Sequence, residues 1–130
     1  MNRLILPESR IQPAIRDRIA NHHRDFIEEV ERTVQTHDVV VVGMGWNPFP
    51  RKARELLTTA GISHQSIEHG NYLSGWRRRN ALKMWTGWPT FPMIFIKGTL
   101  IGGYENLKAL KESGELAAAV RGAPALNAPP

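Results

Sequence analysis

The residues able to do chemistry sit in a few short segments. Trp46-Asn47-Pro48-Phe49-Pro50 places an amide side chain before two prolines. A carboxamide is neither a nucleophile nor a useful acid or base, so Asn47 can cap a helix and little else. Trp76-Arg77-Arg78-Arg79 joins an aromatic ring to three guanidinium groups. Such a run either clamps a carboxylate in bidentate fashion or forms a solvated helix face. Trp88-Pro89-Thr90-Phe91-Pro92 and Gly102-Gly103 offer backbone and apolar surface instead. Trp76, Trp85 and Trp88 read first as core or cleft-wall packing. His22 and His23 are adjacent, point to different faces, and read as solvated rather than as a metal pair. His64 and His69 have no neighbouring nucleophile and read as surface residues. No cysteine occurs. That excludes disulfides, thiolate nucleophiles, thiolate-held zinc and cysteine-held iron–sulfur clusters.

The elements that must position these segments follow from periodicity and punctuation. Pro13 suits the first position of a helix, where its missing N–H is not needed. Ile15, Ile19, Phe26, Ile27, Val30 and Val34 then share one face, which predicts an amphipathic helix of about twenty residues. Val39–Val42 is a run of β-branched residues before Gly43 and predicts a buried strand. Asn47 as N-cap and Pro48 at the first helical position open a helix that runs to Ala60 and stops at Gly61. Ile62–Ile67 predicts a second strand. A further helix is expected over Leu73–Thr86, closed by Gly87-Trp88-Pro89. Met93–Ile96 and Thr99–Ile101 around Lys97-Gly98 predict a β-hairpin. A last helix starts near Tyr104, with a final turn over Leu116–Val120. The order is helix, then β-α-β-α-β-β-α. It implies an α/β fold with a mixed sheet and helices on both faces.

Length and charge bound the rest. A chain of 130 residues predicts one main domain. Hydrophobic residues at 42% and charged residues at 22% are a globular balance. The expected boundaries are an N-terminal extension over 1–37, the main domain over 38–120 and a disordered tail over 121–130. Leu4–Leu6 is too short for a signal peptide, and no apolar run is long enough to span a membrane. A cysteine-free chain fits a reducing cytoplasm. The formal net charge is +5. Residues 1–38 hold six basic and seven acidic residues, and 39–130 hold eleven and five, so the main domain carries the excess. It favours anionic partners or serves solubility.

This order of elements, with three marks placed on it, resembles the glutaredoxins of the thioredoxin fold. Trp46-Asn47-Pro48-Phe49-Pro50 resembles the family's Cys-Pro-Tyr-Cys segment, with Asn47 and Pro50 in place of the cysteines. Trp88-Pro89-Thr90-Phe91-Pro92 is similar to the Trp-Pro-Thr-x-Pro segment of the monothiol glutaredoxins, whose last proline is cis. Ile101-Gly102-Gly103 follows the hairpin as in that family. Arg79-Asn80-Ala81-Leu82-Lys83 resembles the monothiol Arg-x-x-Leu-Lys. The resemblance covers about residues 38–116. It implies a thioredoxin-like fold with a four-stranded mixed sheet flanked by helices, and an extra N-terminal amphipathic helix.

The departures from the family govern the expected function. A glutaredoxin works through a thiolate at a helix N-terminus, and without one there is no disulfide exchange. The catalytic segment is therefore degenerate at Asn47, Pro48, Phe49 and Pro50. The family's basic residue before the motif falls at Met44. The monothiol iron–sulfur cluster uses the missing cysteine together with glutathione, so no cluster and no required cofactor are expected. What the resemblance leaves is a cleft. Glutathione would lie along Thr90, Phe91 and Pro92, with a carboxylate on Arg79. Its γ-glutamyl end would rest on the stretch Gly102, Gly103, Tyr104 and Glu105. The expectation is a redox-inactive protein that binds a glutathione-like ligand weakly, or a protein partner, through the former active site, without a membrane. The alternative is a basic module for single-stranded nucleic acid, using Arg51-Lys52 and Trp76–Arg79.

Overall fold

The computed structural model describes residues 3–43, 48–68 and 76–121. After a short 3-10 turn at Glu8–Arg10 come α1 (Pro13–Ala20), α2 (Arg24–Thr36), β1 (Val39–Gly43), α3 (Pro48–Thr59) and β2 (Gln65–Glu68). α4 (Trp76–Thr86), β3 (Met93–Ile96), β4 (Thr99–Gly102), α5 (Tyr104–Glu112) and α6 (Leu116–Val120) follow. The four strands form one mixed sheet in the order β2-β1-β3-β4. β1 runs parallel to β2 and antiparallel to β3, and β3 and β4 form the hairpin. This is the expected thioredoxin-like arrangement.

Alternation along β1 splits the core into two layers. Val39 and Val41 face one side with Ile94 and Ile96, and meet Ala53 and Leu57 of α3, Leu107 of α5, and Leu116 and Ala119 of α6. Val40 and Val42 face the other side with Met93 and Phe95, and meet Phe26, Val30 and Val34 of α2 and Leu82 of α4. Burial of each such side chain stabilises by roughly 1.5–3 kcal/mol. A strand covered on both faces has no polar positions, which is why β1 reads as an unbroken valine run.

The turns have local causes. Lys97 (φ 51°) and Gly98 (φ 80°) both take left-handed backbone, the conformation of a two-residue type I′ hairpin. Lys97 also ties the turn to Asp38, its Nζ lying 2.8 Å from Oδ1. At the end of α3, Gly61 (φ 74°) donates to Thr58 O and Ile62 donates to Leu57 O, the pair of bonds of a Schellman exit.

Three expectations are corrected. The single N-terminal helix is two helices, broken at 21–23, where His23 takes φ 51°. Its apolar spacing continues across the break, but only the second half finds the sheet. α1 buries no residue, and Ile15 and Ile19 stay 42% and 44% exposed. The second strand begins at Gln65 rather than Ile62, because Ile62 is used in the exit from α3 and packs against its core layer. The final turn over Leu116–Val120 is a separate helix, since Gly114 (φ 79°) closes α5 first. Residues 73–75 of the expected third helix, Gly70-Asn71, and the tail after Arg121 lie outside the described residues. Among the described residues no helix is long and apolar enough to cross a membrane.

Candidate functional site

The site is assembled from three places in the chain, each fixed by its own packing. The first is the start of α3. Pro48 and Pro50 occupy its first and third positions, where a helix N–H has no partner within the helix. Pro50 is buried against Gly43 at the end of β1. A Cβ on Gly43 would stand 2.5 Å from Pro50 Cγ and 2.7 Å from its Cβ, so this approach requires glycine. Phe49 is left 46% exposed. Its ring lies 6.4 Å from that of Tyr104, and Lys52 Nζ is 5.1 Å from its centroid. Met44, Trp46 and Asn47 lie outside the described residues, and so does His69.

The second place is the loop from α4 to β3. Thr86 Oγ1 lies 2.9 Å from Leu82 O and accepts the Trp88 N–H at 3.0 Å, which turns the chain out of the helix. The Phe91-Pro92 peptide is cis, as the resemblance implies. Pro92 is buried, Phe91 is half-buried, and Thr90 is exposed at the lip. Lys83 Nζ sits 5.8 Å from the Phe91 ring centroid.

The third place is the junction of β4 and α5. β4 ends with Gly102 at φ 116°, after an extra residue, Ile101, in its pairing with β3. Asn106 Oδ1 accepts the Gly103 N–H at 3.0 Å and so caps α5. With no side chain on Gly103, α5 closes on the α4–β3 loop. A Cβ there would lie 3.4 Å from Pro92 O and 3.7 Å from Trp88 Nε1.

These pieces enclose a groove of about 340 Å³, lined by Phe49, Trp88, Thr90, Phe91, Pro92, Gly103, Tyr104, Glu105 and Asn106. Most of the expected ligand residues therefore converge. Four of the expected site residues do not line it: Pro50 packs beneath, Gly102 shapes the turn, Pro48 is exposed at the start of α3, and Arg79 is the fourth. Arg79 sits half-buried on α4, outside the groove lining. Arg77 and Arg78 are exposed, and the Arg78 guanidinium lies 5.1 Å from the Phe26 ring. Asn106 was not expected. Its signal is an amide side chain three residues after the Gly103 cap. Trp88 brings a buried Nε1–H with no hydrogen-bond partner among the described residues. Such a group costs about 1–3 kcal/mol.

The donor set is poor in metal ligands. Among the described residues no three His, Asp or Glu side chains group around a common point. A cluster of the monothiol type does not fit, because the chain has no cysteine to hold it.

Sheet order, cis-proline loop and capped Gly-Gly turn define a thioredoxin-like protein with a groove at one end of its sheet. The glutaredoxin family model matches residues 39–101. A "Glutaredoxin-like protein" of Dictyostelium discoideum is 44% identical over 95 residues, covering 72% of this chain and 77% of that one. Glutaredoxin-3 of Bos taurus is 36% identical over 74 residues, 57% of this chain and 21% of that larger protein. Among solved structures, the holo form of glutaredoxin C1 from Populus tremula x tremuloides superposes with a TM-score of 0.70 at 26% identity, over 81% of this chain and 95% of that one. The chain belongs to the glutaredoxin family.

Proposed function

We propose that this glutaredoxin-family chain binds glutathione, or a like γ-glutamyl peptide, without exchanging thiols. One observation carries the reading. Thr90, Phe91, Pro92, Gly103, Tyr104 and Glu105 line one groove in a chain that has no cysteine. The lip at Thr90-Phe91 offers backbone to a peptide. The first turn of α5 turns helix-end N–H groups towards a carboxylate, and Glu105 offers the opposite charge to an ammonium. Disulfide reduction needs a thiolate that attacks and later leaves, and this chain supplies neither. The protein is then a binder rather than an oxidoreductase, with no cluster of its own. Cytoplasmic residence suits such a ligand.

Binding should be weak. The thiol contact is gone, and Met44 stands where the family has a basic residue. Charge-assisted hydrogen bonds are worth roughly 1.5–3 kcal/mol each, so losing one or two moves a submillimolar ligand towards about 1 mM. The test is a titration of ¹⁵N-labelled protein with glutathione. Amide shifts at Thr90, Gly103 and Glu105 should move together in the millimolar range, while a disulfide-reduction assay stays at its blank. Unmoved shifts at millimolar glutathione, or exchange above the blank, would sink the reading. Nothing found supports the nucleic-acid alternative, and Arg78 lies over Phe26 in the core layer of α2.

A further inference from the structure

The end of the groove at α3 offers a thiolate fewer donors than an ordinary helix start does. Of the first three residues of α3, two are prolines, so Phe49 alone carries an N–H. A ligand thiolate there would meet one helix-end donor where an ordinary helix presents three. What the chain does present is carbon. Phe49 and Tyr104 both line the groove with rings 6.4 Å apart and tilted by 44°, and Phe49 remains 46% exposed although it sits beside a buried proline. Lys52 lies 5.1 Å from the Phe49 ring, which fixes one contact of the ring and leaves a lip of aromatic surface at the groove.

We infer that the groove selects γ-glutamyl peptides whose sulfur already carries an apolar group, a thioether rather than a thiol. This rests on the glutathione reading above, and it adds that the ligand's sulfur lies at the Phe49 end of the groove. A thioether has no proton to lose, so the missing helix-end donors do not count against it. Its substituent covers Phe49 and Tyr104 with apolar area that free glutathione leaves in water. An aryl substituent adds edge or offset contacts with the two rings. No bond is made or broken in the groove, so the absence of a nucleophile is no obstacle.

The experiment is calorimetric titration of the full chain with glutathione, S-methylglutathione, S-benzylglutathione and N-acetyl-S-benzylcysteine. S-benzylglutathione should bind about tenfold more tightly than glutathione or better, with the S-methyl compound between them. N-acetyl-S-benzylcysteine, which lacks the γ-glutamyl and glycyl parts, should bind more weakly than S-benzylglutathione. Phe49→Ala should bring the S-benzyl preference down to about threefold or less, and Phe49→Leu should keep part of it. Thermal melts of both variants check that they fold. If glutathione binds and its S-benzyl form binds no better, this inference is wrong and the glutathione reading stands. If neither binds at millimolar concentration, both fall. Equal affinity for N-acetyl-S-benzylcysteine, or an S-benzyl preference untouched by Phe49→Ala, would also overturn the assignment.

Discussion

Gly102 and Gly103 are neighbours, yet replacing each by alanine should give opposite results. Gly102 has φ 116°, a conformation that L residues rarely take, and holding an alanine there costs about 1–3 kcal/mol. Its new Cβ would also collide with Asn106, whose Cγ lies 2.6 Å from that point. Asn106 would have to swing away and give up the Gly103 N–H, a cap worth about 1 kcal/mol. Gly102→Ala should therefore destabilise by about 2–4 kcal/mol. Gly103 has φ −108°, and its added Cβ would meet nothing nearer than Pro92 O at 3.4 Å. Gly103→Ala should cost at most about 1 kcal/mol, chiefly because alanine is a poorer N-cap than glycine. The unfolding entropy of a chain of 130 residues is near 0.27 kcal/mol per kelvin, at about 2.1 cal/mol/K per residue. The two costs then become drops in Tm of about 8–15 °C and under about 4 °C. Differential scanning calorimetry at one protein concentration reads both. The ligand result should invert the order. Gly103→Ala puts a methyl group into the groove beside Trp88 and should weaken glutathione binding in a protein that is still folded. Equal losses of Tm at the two positions would refute the claim that backbone conformation at 102 and groove access at 103 explain the pair.

Two further outcomes are expected. Leu57→Ala removes a fully buried side chain between α3 and the sheet and should lower stability by about 2–5 kcal/mol, read as a shifted urea midpoint; a loss under about 1 kcal/mol would mean that this core layer is looser than described. Asn47→Cys creates the sole thiol, at the residue just before α3, and its pKa, followed by thiolate absorbance, should fall below the ~8.5 of a free thiol. The fall should be smaller than in an armed glutaredoxin, because Pro50 lacks one N–H donor; a value at or above the free one would mean that the helix end does not favour an anion.

Much of the fold was legible because local and global signals agree. Four consecutive valines, Lys97-Gly98, and Gly61 each allow few conformations, and each took the expected one. The N-terminal helix misled because periodicity reports which residues share a face, not whether a partner waits for that face. Ile19 and Phe26 stand seven residues apart, in phase, yet only Phe26 meets the sheet. The groove was legible as a set of residues through its resemblance to known segments. Its finer state was not. That Trp88 Nε1 is buried without a partner among the described residues depends on how closely Gly103 approaches, and no sequence spacing encodes that distance. Arg79 shows the converse: its place in a motif matched the family, but its position on α4 lies off the groove lining.

The two replaced cysteine positions differ in kind. At 47 the change substitutes one polar side chain for another at the point where the chain enters α3. At 50 the change has become part of the packing. Pro50 is fully buried, and its ring occupies the space that a side chain on Gly43 would need, so α3 rests on β1 through it. A smaller, softer side chain there would leave the sheet end uncovered and cost packing as well as the preset φ of proline. A cysteine at 50 would thus be opposed by the core. Gly43 and Pro50 seat α3 on β1, Pro92 and Gly103 bring the α4–β3 loop onto α5, and none of those contacts depends on a sulfur atom.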